Sequence, residues 1–282
     1  MSTITPTTSS TRPTGVQGRI AFETDTKNII VYDGAIWRGY ASDGTAGSGW
    51  TGSSSSSVSF DGSNDHADTN SNFQSTLSGG FSFSLWAKLN GTGVNQALIG
   101  AENSTYYDRL VCFVNTSNQV NFYYTSNNQA ISSIKDTTGT TLTNWFHVVG
   151  TVEQNGSNVD LTLYVNGSQK ATNSGTSTLL NFGTTNTPAD LFLGGRNYGG
   201  SLQLPLNGLL DEVALIPSVL SSSDVSSIYN NGTPADITSY SPDSWWRMGD
   251  NNNATGSNIP DQGSLGIDAT LVNGPTYSSD VA

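Results

Sequence analysis

One cysteine, Cys112, is all the chain contains, so an intrachain disulfide is excluded and packing alone must hold the fold. Cys112 lies in the strand-like run LVCFV, where a thiol serves as a small buried hydrophobe. Charge is scarce, at 11% of residues, and one-sided, with 22 carboxylates against 10 Lys and Arg for a formal net charge of -12. Such a field repels phosphate backbones and anionic lipid, which argues against nucleic-acid and membrane partners. Long hydrophobic runs are missing, and the opening MSTITPTTSSTRPTG has no signal-peptide core. The expectation is synthesis in the cytosol, with any later extracellular life reached by release or by assembly into a particle. Strong helix formers are few, whereas Ser, Thr, Asn and Gly abound. That composition suits many short strands joined by turns, an all-β chain.

The chain divides by composition into four stretches. Residues 1–14 are Ser, Thr and Pro with little to bury and read as an extended arm. Residues 15–45 hold three short β-rich runs, two of them separated by Asp33-Gly34, a pair suited to the positive φ of a type I′ hairpin. This small β-meander has too little core to stand alone and must pack on the main domain or on copies of itself. Residues 46–57 form a Gly/Ser linker, and residues 58–282 a large β domain.

Within that domain, FSFSLWAKL alternates Phe81, Phe83, Leu85, Ala87 and Leu89 with Ser82, Ser84, Trp86 and Lys88, a strand with one face on a core. Further strands are expected at 97–101, 110–114, 120–124, 131–134, 146–152, 161–165 and 190–194, with a second hairpin at Asn166-Gly167. Ser221 to Tyr229 reads as a serine-capped helix stapled down by Val225, Ile228 and Tyr229. Near the end, Trp245 and Met248 are expected to face the core, with an exposed loop at 251–263.

The stretch LNGLLDEVALIPSVL from Leu206 organises the rest. A period-two reading puts Asp211, Val213 and Leu215 on one strand face and Leu210, Glu212 and Ala214 on the other. An ionised Asp on an apolar face needs backbone N–H groups, a cation or water as compensation. That stretch, with SVSFDGSNDHADT from Ser57, FSFSLWAKL and NWFHVVGTVEQNGSNVDLTLYVNG from Asn144, resembles the laminin-G-like, concanavalin A-like jelly rolls. The resemblance implies a jelly-roll β-sandwich over residues 58–282. The tryptophan pair and Thr-Leu-x-Asn-Gly-Pro ending resemble the strand pair that often opens such a domain, which implies a permuted order or an extra layer.

The glucanases of this fold carry a Glu-x-Asp-x-Glu strand, which is absent here, and adjacent Asp211 and Glu212 are expected on opposite faces. Neither His66 nor His147 has a nucleophile arrangement beside it, so the chain is read as non-enzymatic. Relatives often bind calcium through matching positions, which here are Asp211, Asp61 and the carbonyl of Gly62, giving a structural calcium as one reading. A carboxylate bonded by backbone N–H groups is the other. Sugar binding needs aromatics flanked by amides and charges. The loops with Tyr106 and Tyr107, and with Arg196, Asn197 and Tyr198, hold those residue types.

Residues 15–41 resemble a short module of bacteriophage tail and other virion proteins, through Gly18, Ile20, Phe22, Thr24, Asp25, Thr26, Tyr32, Gly34 and Trp37. This implies a virion structural protein, a capsid decoration or tail/fibre component. Ile20, Phe22, Tyr32 and Trp37 would serve attachment to other virion proteins, in a homo-oligomer such as a trimer, with weak adhesion to host-surface glycans in addition. The alternative is a carbohydrate-binding adhesin whose main role is sugar recognition.

Overall fold

A computed structural model describes residues 5–7, 20–23, 29–32 and 37–40, then 54–282 except 106–107, 127–131, 157, 176–181, 184–188 and 251–253. The chain falls into two compact units, Met1–Gly52 and Ser53–Ala282.

The first unit is a four-stranded sheet of β1 (Thr5–Thr7), β2 (Ile20–Glu23), β3 (Ile29–Tyr32) and β4 (Trp37–Tyr40), in that order. The meander expected from its three apolar runs is there, and β1 adds a parallel edge strand from within the expected arm. Ile20 is 43% exposed and Ala21 is buried. The Asp33-Gly34 turn and the side chains of Phe22, Tyr32 and Trp37 lie outside the described residues.

The second unit begins, in chain order, with β5 (Ser57–Asp61), β6 (His66–Asp68), α1 (Gln74–Leu77), β7 (Phe81–Leu89), β8 (Gln96–Glu102), β9 (Arg109–Val114), β10 (Val120–Thr125) and β11 (Ser132–Lys135). The chain continues through β12 (Phe146–Asn155), β13 (Asn158–Val165), β14 (Ser168–Gly175), β15 (Phe192–Leu193), β16 (Arg196–Tyr198), β17 (Ser201–Gln203) and β18 (Asn207–Ile216). It ends with α2 (Ser222–Tyr229), β19 (Ser244–Trp246), β20 (Asn258–Ile259), β21 (Ala269–Val272) and β22 (Thr276–Ser278). One sheet runs β14-β13-β12-β7-β18-β5-β22, with β19 on β18. The other runs β11-β10-β9-β8-β15-β6-β21-β20, with β16 on β8 and β17 on β16.

Alternation decides which side chains meet between the sheets. Phe81, Phe83, Leu85, Ala87 and Leu89 all enter the core, where they face Leu110, Cys112, Phe122 and Ile99 of the other sheet. Phe83 and Phe122 meet edge to face, with centroids 5.0 Å apart, a preferred aromatic geometry. Trp86 points the other way, beneath α2, stacked 5.7 Å from Tyr229 and tilted against His147 at 4.9 Å. Ser221 caps α2 through a reciprocal bond pair with Asp224, which satisfies donors that the first turn leaves open. Asn166 and Gly167 both have positive φ, at 50° and 72°, at the β13–β14 turn, as a type I′ hairpin requires.

The carboxy-terminal strand pair joins the sandwich rather than adding a layer: β21 pairs with β6 and β22 with β5. Trp246 and Met248 face the inter-sheet core. Trp245 is equally buried, but on the outer side of β19, where its indole N–H donates to Glu212 at 2.6 Å. Within the loop expected to be exposed, Ile259 is buried and pairs with Ala269. Ser54 and Ser56 are also buried, so the sandwich's own packing starts before residue 58.

Candidate functional site

The two loops singled out for sugar recognition converge on the outer face of the β8–β9–β10 region. Gly194 and Gly195 turn the chain back after β15, and β16 then runs parallel to β8, with Tyr198 opposite Glu102. A side chain at Gly100 would meet the Arg196 backbone at 2.9 Å, so the absence of one lets β16 lie against β8. Gly199 N donates to Glu102 O at 2.9 Å, and Tyr198 Oη donates to Ser104 O at 3.0 Å.

Around that junction a polar cluster forms. Glu102 is fully buried; Arg109 Nη2 donates to its Oε1 at 2.5 Å, and Arg196 Nη1 stands 3.4 Å from its Oε2. The guanidinium of Arg196 lies 5.4 Å from the Tyr198 ring centre, and that of Arg109 5.8 Å from Tyr123. Tyr123 meets Phe113 edge to face at 5.1 Å, and both rings are half-buried. Aromatic faces and fixed charges on one sheet surface can stack against a pyranose ring and hydrogen-bond its hydroxyls.

Of the expected ligand residues, Arg196 and Tyr198 border this cluster. Asn197 does not present itself to a ligand: it is buried, donating to Asp190 O at 3.0 Å and accepting from Gly200 N at 2.8 Å, and so shapes the turn. Tyr106 and Tyr107 lie outside the described residues. Glu102, Arg109, Phe113 and Tyr123 were not singled out from sequence. The period-two rule alone groups Arg109, Val111 and Phe113 on one face of their strand and Asn121 and Tyr123 on one face of theirs, and it is the β9–β10 pairing that sets the two groups side by side.

The set expected for calcium is not brought together. Asp61 pairs with Asn207, four residues before Asp211 on β18, a separation of about 13 Å along a strand. Asp61 is exposed and its Oδ1 accepts from Ser63 N at 2.8 Å, whereas Asp211 is fully buried and accepts from Ser54 Oγ at 2.7 Å and Ala282 N at 3.3 Å. Gly62 lies against the Asn207 side chain. Asp211, Asp61 and Gly62 therefore do not fit one calcium ion, and among the described residues no group of three or more His, Cys, Asp or Glu is placed to hold a metal.

The expected opposite facing of Asp211 and Glu212 is also corrected. Glu212 has φ 47°, and the β18–β7 register shifts between Asp211 and Ala214. This β-bulge turns both carboxylates away from the core that Leu210, Val213 and Leu215 enter. Glu212 Oε1 accepts from Arg247 Nε at 3.1 Å, and Arg247 Nη2 donates to Asp250 at 2.7 Å. Burial, reinforced by the Glu212 charge, pushes Asp211 well above the usual carboxylate range. Burial likewise raises Glu212 to about 7, with Arg247 opposing the rise. Both side chains are sealed from solvent, so their place is in packing rather than against a scissile bond.

His147 is neutral, pushed down to about 3 by burial, with Nε2 2.8 Å from Ser84 Oγ. His66 packs at a tilt against Phe192, with ring centroids 4.3 Å apart. Both have structural surroundings.

A profile of the concanavalin A-like lectin/glucanases superfamily matches residues 61–226, more than half of the chain. The chain belongs to this superfamily. No curated protein matches it. Among solved structures, a candidate carbohydrate binding protein from Bacteroides ovatus superposes with a TM-score of 0.57 at 15% identity, over 80% of this chain and 60% of that one. The CBM40 module of the Ruminococcus gnavus IT-sialidase gives 0.51 at 12% identity, over 61% of this chain and 96% of the module. NanB sialidase from Streptococcus pneumoniae gives 0.52 at 20% identity, over 61% of this chain but only 27% of that enzyme. At these identities the likeness is one of fold, that of the concanavalin A-like lectins.

Proposed function

We propose that the sandwich is a non-catalytic carbohydrate-binding module and that sugar docks on the outer face formed by β8, β9, β10 and β16. The observation carrying this reading is the meeting of the Phe113–Tyr123 ring pair with the Arg109–Glu102–Arg196 cluster and Tyr198 on one surface. Half-buried rings offer a stacking face, and the buried Glu102 holds both guanidinium groups in place before a ligand arrives. The superfamily and the carbohydrate-binding relatives in fold support the same class. They give no support to the virion setting expected from residues 15–41, so the adhesin alternative becomes the main reading.

A glycan array probed with the full chain tests it. The expected result is a restricted set of bound glycans, lost in Tyr123→Ala. Uniform silence, or binding that Tyr123→Ala and Arg196→Ala leave intact, contradicts it.

A further inference from the structure

A groove of about 490 Å³ lies away from that face, between the segment leading into α1 and the loop before β21. Ser71, Asn72, Gln74 and Ser75 form one wall, and Leu265 and Ile267 the other. We propose that this groove is a second ligand site, for an uncharged sugar or polyol of one or two rings; it does not depend on the outer-face reading.

Its lining defines the ligand class. No Asp, Glu, Lys or Arg contributes to it, so nothing there compensates an ion, and the single turn of α1 supplies no appreciable helix dipole. The polar groups are amides and hydroxyls, which offer donors and acceptors together. The side chain of Gln74, the Asn72 amide nitrogen and the Ser75 hydroxyl form no hydrogen bond with the described residues, while Asn72 Oδ1 accepts from Gln74 N at 3.1 Å. Opposite them Leu265, 41% exposed, and Ile267 present aliphatic surface. Hydrogen-bonding groups facing an aliphatic wall match the hydroxyl edge and C–H face of a sugar, and the volume lies in the ~300–1,000 Å³ range of small-ligand sites.

The walls are fixed beforehand by shared supports. Asp243 accepts from Thr76 Oγ1 at 2.5 Å behind one wall and from Leu265 N, through its carbonyl, at 2.9 Å behind the other. Trp246 packs edge-on against Phe73 at 5.7 Å and donates its indole N–H to Ile267 O at 2.9 Å. Asn70 and Phe73 both hold φ 50°, a conformation an aromatic residue adopts only where surrounding structure enforces it. A groove held this way loses little freedom on binding.

The test is an amide NMR titration of the full chain with lactose, maltose and cellobiose as neutral probes. The expected result is saturable shifts at residues 71–75 and 264–267 with at least one probe, weakened about threefold or more in both Gln74→Ala and Leu265→Asp. Gln74 and Leu265 are exposed, so neither change threatens folding. No shift there with any probe, or shifts that persist in both variants, overturns the proposal. Amides of β9, β10 and β16 report the outer face separately, so failure of one site is distinguished from failure of the other.

Discussion

Arg247 Nε stands 3.1 Å from Glu212 Oε1, with both side chains almost wholly removed from solvent. One guanidinium serves two carboxylates, since Asp250 takes its Nη2 at 2.7 Å and in turn accepts from Ser55 N and Oγ. Through this cluster β18, the turn after β19 and the first residues of the sandwich are tied together.

Removal of the cation leaves buried negative charge uncompensated. Arg247→Met is expected to destabilise the sandwich by ~3–5 kcal/mol in urea unfolding, with Glu212→Gln in the same chain restoring part of the loss. An Arg247→Met protein as stable as the parent contradicts this account of the cluster.

The same cluster sets a pH dependence of unusual sign. Glu212 and Asp211 have folded values above their unfolded ones, so folding takes up protons and their contribution is present in acid and lost as pH rises. For Glu212 the loss runs from an unfolded value of ~4.3 to the folded value of about 7. Asp280, held low first by its bond from Lys88, acts in the opposite sense but only below about 4. Melting temperature is therefore expected to fall between about pH 5 and pH 8, and Glu212→Gln to flatten that slope. A wild-type melting temperature that rises over this range rules the sign out.

Gly150 sits in β12 against the Phe83–Phe122 contact, where an added Cβ would lie 2.2 Å from the Phe83 ring. Gly150→Ala should cost about 1–3 kcal/mol by forcing those rings apart, visible as a lowered urea midpoint with unchanged m-value.

Much of the sandwich was legible because two-residue periodicity and turn chemistry are local. FSFSLWAKL, the Asn166-Gly167 hairpin and the Ser221 cap all stand where their residue patterns place them. The misreadings arise where local rules are overridden by partners distant in sequence. The bulge at Glu212 breaks period two, and its partners Arg247 and Trp245 come from another strand and the turn after it. The exchange of Trp245 for Trp246 in the core follows from the same contact. The Asp61–Asp211 pairing failed because family position does not fix register, and the β5–β18 ladder sets Asp61 opposite Asn207. On the outer face, Arg196 and Tyr198 were found by residue type alone, while Tyr123 and Glu102 needed the strand neighbours that only the fold supplies.

Calorimetric titration of an array-selected glycan into the full chain and its Tyr123→Ala variant tests the central claim most directly. The account predicts measurable binding by the parent and at least about tenfold weaker binding by Tyr123→Ala, a loss of ~1.4 kcal/mol, with the variant still folded and melting in one cooperative transition. Equal affinity in the two proteins would contradict the assignment of sugar recognition to this face.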